Sequence, residues 1–339
     1  MKIDLRSDTV TQPTAAMRAF MLKAPVGDDV FGEDPSILEL EQKICSLFGT
    51  DAAMFTPTAT MSNQIAIKLL TQPLDEVICD RTSHIYSYEV GGFAFHSGCS
   101  VRYLFGERGV FTAADVAANI NPDDVHKPIT RMVNIENTVN RGGGKIFPLT
   151  EITSIHAVCK AQGLKMHLDG SRLFNAMVAA GTNAKDYGKL FDTITLCFSK
   201  GLGAPVGSVL TGKKEHLDKA RRIRKVFGGG MRQAGIMAAG CIYALNHHID
   251  RLAEDHLMAR RIEQKVVSLA YVETILPVET NIIIFRLKQG INDTHFIDHL
   301  AQHDIHAFAI GDNWVRFVTH LDIHPEMESA IYSALENFG

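Results

Sequence analysis

Three kinds of excess are missing from this chain of 339 residues. The first is charge of one sign: 34 Lys and Arg against 38 Asp and Glu leave a net charge of −4. A protein that neutralises phosphates needs a basic surplus, so nucleic acid is not expected as a partner. The second is a long apolar run. No stretch approaches the roughly 18 apolar residues of a membrane span, so no membrane partner is expected either. The start, MKIDLRSDTV, is charged and without an apolar run, and does not read as a secretory leader. The third is cysteine pairing. Cys45, Cys79, Cys99, Cys159, Cys197 and Cys241 are scattered and form no C-x-x-C pair. They read as buried thiols of a cytoplasmic protein rather than as disulfides or a zinc site, and no metal is expected. Internal repeats and low-complexity tracts are absent as well.

What is present is alternation of helix and strand character. The segment 36–49 carries Ile37, Leu40, Ile44 and Leu47 at helical spacing and stops at Gly49. EVICD (76–80) and TRMVNIEN (130–137) are apolar runs of strand length. A second helix, 149–163, places Ile152, Ile155 and Cys159 on one face. Strands 164–170 and 193–199 follow. This order predicts an α/β fold with a large domain of mostly parallel sheet flanked by helices. Near 245–265 one long charged helix is expected to lead out of it. Strands at 281–287 and 313–321 and helices at 293–303 and 325–338 then form a smaller C-terminal α+β domain. The division expected is residues 1–250, with an N-terminal arm, and 251–339, with the linking helix.

In an open α/β sheet, ligands sit outside the carboxyl ends of the strands. DTITLCFSKGLGAPVGSVL (192–210) puts Lys200 at such an end, and KMHLD puts Asp169 at another. A lysine at a desolvated strand tip can form a Schiff base with a carbonyl. A carboxylate nearby can hold a pyridinium nitrogen protonated, and the two together are what pyridoxal phosphate needs from a protein. Thr58, Ala59 and Thr60 precede an apolar-periodic run and supply a candidate phosphate cradle at a helix N-terminus. His84, in RTSHIYSYE just after a strand, has the position to lie over a cofactor ring. Arg172 follows Asp169 by three residues, with reach toward substrate or cofactor oxygens. Other patterns are weaker. GLGAPVG departs from a dinucleotide turn, with its last gap one residue too long and Pro205 where a helix should begin. His295, His299 and His303 share one helix face without accompanying acidic residues, which reads as a solvated face.

Taken in order, IDLRSDTVTQPT, VGDDVFGEDP (26–35), HLDGSRLFNA (167–176), SKGLGAPVGS (199–208), GGGMRQAG (228–235) and VRFVTHLD (315–322) resemble the L-threonine aldolases of low-specificity type. These are pyridoxal-phosphate enzymes of the aspartate-aminotransferase fold type. The resemblance runs from residue 3 to residue 322. It implies cleavage of L-threonine or L-allo-threonine to glycine and acetaldehyde. The runner-up is a related lyase on the same scaffold, either a phenylserine-type aldolase or a β-eliminating enzyme.

The resemblance also implies roles. Lys200 would carry the cofactor covalently, Asp169 would partner its ring nitrogen, and the glycines after Lys200 would let backbone pack close to it. His84 would stack on the ring and help move a proton. His126, in DDVH, would stand near the substrate hydroxyl. Ser7, Arg172 and Arg316 would bind the substrate carboxylate. Ala59 and Thr60 fall where the phosphate binds, and Lys225 and Arg232 at the active-site edge, Arg232 toward the phosphate across a subunit boundary. The implied assembly is a homotetramer with the site between subunits and an amino acid as the small-molecule substrate. Ala59 stands where glycine is usual, Phe31 where tyrosine is common, and Val139 where histidine is common.

Overall fold

Apolar segments of strand length, each leading into a helix, assemble one seven-stranded sheet in the computed structural model, which describes residues 2–338. A two-residue strand β1 (Ile3–Asp4) opens the chain. The large sheet is built from β2 (Ala52–Thr56), β3 (Asp75–Asp80), β4 (Ser100–Leu104), β5 (Ile129–Glu136), β6 (Lys165–Gly170), β7 (Thr193–Cys197) and β8 (Ser208–Gly212). Their order across the sheet is β2-β8-β7-β6-β5-β3-β4. β8 runs antiparallel to both its neighbours, and the remaining pairs are parallel. Every residue of β3, β7 and β8 is buried, as a parallel sheet covered by helices on both faces requires.

The helices start and stop on local chemistry. The helix Pro35–Phe48 has Asp34 as N-cap, its Oδ1 accepting from the N–H groups of Ser36 and Ile37, both at 3.1 Å. It ends on Gly49 in the left-handed conformation, and it buries Ile37, Leu40, Ile44 and Phe48 in the main core. The helix Leu149–Gln162 ends likewise on Gly163. The long charged helix expected near 245–265 is two helices, Gly235–His247 and Leu252–Val267. The break falls where His248 donates from Nδ1 to the Leu202 carbonyl at 2.7 Å, pinning the chain to the turn after Lys200.

A second sheet contains β9 (Val272–Ile275), β10 (Ile282–Leu287), β12 (Phe308–Ala309) and β13 (Trp314–Val318), all antiparallel, in the order β12-β13-β10-β9. Between β10 and β12 lie the helix Asp293–Gln302 and β11 (Ile305–His306), which pairs parallel with β1. The apolar cluster under this sheet includes Met258, Ile262 and Val266 from the linking helix. It also includes Ile3 and Leu5, so the first residues of the N-terminal arm pack with the C-terminal unit. The histidine face of 293–302 is only partly solvated: His299 bonds the Ala334 carbonyl at 2.8 Å and packs on Phe338. Among the described residues no helix is long and apolar enough to cross a membrane.

The glycines after Lys200 answer to packing and backbone conformation. Gly203 has φ +75° and Gly207 φ +128°, where side chains are strained. A Cβ on Gly207 would also stand 2.5 Å from Cys241 Sγ and 3.1 Å from the Phe55 ring. The turn needs glycine there so that the helix Gly235–His247 can lie against it. Gly207→Ala should therefore lower the unfolding free energy by about 2 kcal/mol or more. Urea unfolding of the two proteins measures this, and equal midpoints would refute it.

Candidate active site

Because β8 alone is reversed, the carboxyl ends of β2, β3, β5, β6 and β7 lie along one edge of the large sheet. The residues that follow those ends are the candidate machinery. Asp169 closes β6 and is fully buried; its Oδ2 accepts from Asn63 Nδ2 at 3.0 Å and its Oδ1 from the Ser171 N–H at 3.1 Å. Lys200 lies three residues beyond β7, the strand next to β6, half-buried; its carbonyl accepts from the Gly203 N–H at 2.8 Å, and its Nζ makes no hydrogen bond or ion pair to a described residue. Its charge is felt nonetheless. Burial opposes ionisation of Asp169, but the charges of His84 and Lys200 outweigh it and hold the carboxyl below its usual range.

His84 begins a short helix after β3, and three residues that sequence reasoning did not single out hold it there. Its Nδ1 lies 2.8 Å from Glu89 Oε1, and its backbone N–H donates to Glu136 Oε2 at 2.7 Å. Glu89 is buried and also accepts from Gln64 Nε2. Burial would depress the His84 pKa, but the Glu89 hydrogen bond and the nearby Asp169 charge raise it above the ordinary histidine value. Glu136, at the end of β5, sits in register with Asp169 on β6. Burial, reinforced by Asp169, pushes its carboxyl up to about 7. The signals lay inside segments already quoted, since Glu89 ends RTSHIYSYE and Glu136 is the glutamate of TRMVNIEN.

A second group gathers where the arm crosses the sheet edge. Asp8, adjacent to Ser7 in RSDTV, is fully buried and grips Arg172 with two bonds, Nε to Oδ2 at 2.7 Å and Nη2 to Oδ1 at 2.6 Å. Burial disfavours the Asp8 anion, but the Arg172 guanidinium overrides it and holds the carboxyl far below the usual range. Arg172 is thus half engaged, with Nη1 left to donate. Arg316, on β13, donates from Nη1 to Asn140 Oδ1 at 3.2 Å and from Nη2 to the Arg6 carbonyl at 3.0 Å. Its Nε is buried without a partner. Burial and then the Arg172 charge lower the Arg316 pKa, and an anion between the two arginines would relieve that repulsion. Ser7 Oγ accepts from the Thr9 N–H at 3.2 Å and the Thr9 hydroxyl at 2.9 Å, so only its own O–H remains to bind a ligand.

At the third end stands the helix Ala59–Leu70, capped by Thr58, whose Oγ1 accepts from the Met61 N–H at 3.1 Å. The N–H groups of Ala59 and Thr60 donate to no described residue, an arrangement that suits an anion. Ala59 is helical, so the turn works without the positive φ that a glycine would permit. A Cβ on Gly229 would strike Met61, so the loop 228–230 lies against this helix start. A buried carboxylate, a partner-free lysine, a ring-sized histidine and open N–H groups at a helix start form a donor set that fits pyridoxal phosphate.

Three expected residues are not brought into this cluster by the chain that carries it. His126 precedes β5, whose eight residues span roughly 25 Å before reaching Glu136, so it lies beyond the opposite edge of the sheet. Its side chain is 85% exposed and bonds only Asp124. Arg232 donates to Asp28 Oδ2 at 2.8 Å and lies over the exposed Phe31 ring. Lys225 is exposed on a groove of about 520 Å³ that also contains Phe31 and the buried Arg224.

The sequence pattern of the beta-eliminating lyase family matches residues 4–289. The low specificity L-threonine aldolase of Escherichia coli is 38% identical over 327 residues, which make up 96% of this chain and 95% of that one. The enzyme of the same name from Saccharomyces cerevisiae is 38% identical over 299 residues, 86% of this chain and 75% of its own. A solved structure of Leishmania major threonine aldolase matches with a TM-score of 0.86 over 98% of both chains, at 21% identity, a likeness of fold alone.

The Glu136 carboxyl carries a test of the site's electrostatics. Burial pushes it up to about 7 in the fold, whereas in the unfolded chain it has the ordinary glutamate value of 4.5. The folded protein therefore binds the extra proton between these values. The stability this contributes is fully present below pH ~4.5 and is lost as pH rises through about 7. For protein free of cofactor, unfolding free energy should fall from pH 5 to pH 8 in the wild type more steeply than in Glu136→Gln. Parallel pH curves would refute the assignment.

Proposed function

The chain belongs to the beta-eliminating lyase family, and within it we propose that the protein is a pyridoxal-phosphate-dependent aldehyde-lyase of the low-specificity threonine aldolase type. It cleaves L-threonine and L-allo-threonine to glycine and acetaldehyde. One observation carries the reading: low specificity L-threonine aldolases match over nearly the whole chain, and Lys200 and Asp169 stand at the ends of adjacent strands.

Pyridoxal phosphate, when bound, supplies the electron sink that lets the Cα–Cβ bond of a β-hydroxy-α-amino acid break. The chain's residues do the rest. Lys200 would hold the cofactor covalently. Asp169, kept ionised by its neighbours, would keep the ring nitrogen protonated. The Ala59 and Thr60 N–H groups and the Thr60 hydroxyl would take the phosphate. Arg316, the free Nη1 of Arg172 and the Ser7 O–H would grip the substrate carboxylate and fix the bond to be cleaved. With Nδ1 turned to Glu89, His84 has Nε2 available for the β-hydroxyl proton. Such positioned acid–base help contributes on the order of 10²–10⁴-fold.

The protein works as a homotetramer in the cytoplasm. His126, Lys225 and Arg232 are outside the cluster of their own chain and would serve a neighbour's site: Arg232 its phosphate, His126 its substrate hydroxyl. Exposed Phe31, Val90 and Phe95 offer apolar surface for such contacts. The six cysteines are free, and all but Cys45 are buried.

Purified protein given pyridoxal phosphate and L-threonine should release glycine and acetaldehyde, and Lys200→Ala should abolish turnover. Ammonia and a keto acid in place of glycine would overturn the aldolase reading in favour of β-elimination. Arg316→Lys keeps the charge but loses the planar fork. It should weaken glycine binding roughly 10- to 150-fold and leave cofactor affinity near wild type. A collapse of cofactor affinity with glycine affinity unchanged would remove Arg316 from the carboxylate site. Inactive Lys200→Ala and Arg232→Ala proteins, mixed and reassembled, should regain activity, since some sites then draw both intact residues from different chains. No recovery would place Arg232 outside the neighbour's site.

A further inference from the structure

Asn63 sits in the second turn of the helix Ala59–Leu70, wholly buried, with both amide protons and its oxygen bonded. One amide nitrogen donates to two carboxylates, Glu89 Oε1 at 2.9 Å and Asp169 Oδ2 at 3.0 Å. Its Oδ1 lies 3.1 Å from His167 Nε2. These partners fix every proton in the chain of bonds. Turned the other way, the amide would aim its oxygen at two carboxylates. In the orientation observed, Oδ1 can only accept, so His167 carries its proton on Nε2. Burial holds the His167 pKa down to about 4, so the ring is neutral and has one proton to give. Its Nδ1 must then accept: of its two neighbours, the Thr193 hydroxyl at 2.9 Å is the donor, and the Thr193 carbonyl at 3.1 Å receives no proton from it. On the other side Glu89 accepts from Asn63, from Gln64 and from His84 Nδ1–H. That leaves the lone pair of His84 on Nε2.

We propose that Asn63 is a positioning residue shared by the two working groups of the site: its single NH₂ holds Asp169 for the cofactor ring nitrogen and Glu89 for His84. The inference rests on the pyridoxal-phosphate reading above. The problem it addresses is visible in the geometry. Ligand atoms of His84, Glu89 and Asp169 lie within 4.8 Å of one another. Two buried carboxylates that close repel, and ordinarily one takes up a proton. The neutral amide lies between them and donates to each. Asp169 also faces His84, Lys200, His167 and the Glu136 carboxyl on the adjacent strand. Among the described residues only Asn63 donates to both Asp169 and Glu89. The same helix offers its first N–H groups where the phosphate would bind, so one rigid element sets phosphate, ring nitrogen and base together.

Asn63→Asp keeps the shape and replaces the shared donor with a third acid. The acid limb of kcat/KM should move up by about one pH unit, because added negative charge holds the proton on His84. kcat should fall roughly 10- to 100-fold. The visible absorbance of bound pyridoxal phosphate should become pH-dependent where the wild type's is flat, because Asp169 now shares a proton. Gln64→Leu removes a donor from Glu89 alone, so it should move the limb and leave the absorbance response as in the wild type. If both variants melt lower but keep the wild-type limb and absorbance response, Asn63 is structural only and the proposal falls. A second measurement needs no variant at position 63. Nitrogen NMR of the imidazoles at alkaline pH, assigned against His84→Gln and His167→Gln, should show the proton on Nδ1 of His84 and on Nε2 of His167. The opposite tautomers would overturn the proposal. A wild type that binds no pyridoxal phosphate overturns the functional reading itself, a different result from a cofactor-binding protein indifferent to Asn63.

Discussion

Four carboxylates, Asp8, Glu89, Glu136 and Asp169, are buried along one edge of a sheet, and the arrangement of the site follows from keeping them there. A desolvated carboxylate must be paired, bonded or protonated. Each of these four meets the demand differently. Asp8 takes a fixed cation, Arg172. Asp169 takes diffuse positive charge from His84 and Lys200 together with an amide. Glu89 takes amide donors and an imidazole. Glu136 takes two backbone N–H groups, from His84 and Asn140, and a proton near neutrality. The result is an edge on which acids hold the basic side chains in place, Glu89 and Glu136 for His84 and Asp8 for Arg172.

Much of this was legible in the sequence, because strand ends are easy to find and functional groups cluster there. Lys200 and Asp169 could be placed by periodicity alone, as each follows an apolar run of strand length. His84, Arg172 and Arg316 came from position together with family likeness, and the fold brings them to the same edge. The partners were less legible. Asn63 reads as one polar residue in an apolar-periodic helix, and its three bonds reach residues 26 to 106 positions away. No local pattern encodes such separations. Glu89 and Asp8 stood beside residues already singled out, yet nothing in a linear motif says which neighbour is a ligand and which holds one.

His126 lies apart from the cluster of its own chain for a geometric reason. Residues on either side of a strand in sequence lie at its two ends in space, so proximity in the chain to Glu136 places His126 at the far edge. The glycines after Lys200 are a different lesson. The close approach that Gly207 permits is to Cys241 and Phe55 of this chain, and Gly203 faces Leu321 and Thr11. Likewise the break at His248 depends on a bond to Leu202, a contact of the folded state that helix propensity does not contain.

The N-terminal arm acts as a short leash. Asp4 is paired to His306 in the C-terminal unit, and Asp8 is clamped to Arg172 at the edge of the large sheet. Three residues of chain separate these anchors, four Cα steps that span at most roughly 14 Å when drawn straight. Arg316 adds a cross-tie by holding the Arg6 carbonyl midway along it. Any rocking of the C-terminal unit over the site pulls on Ser7 and Asp8 within a few ångströms of travel. The amplitude of such motion is therefore capped by chain length rather than by a hinge, and the moving part carries Arg316 and the arm with it.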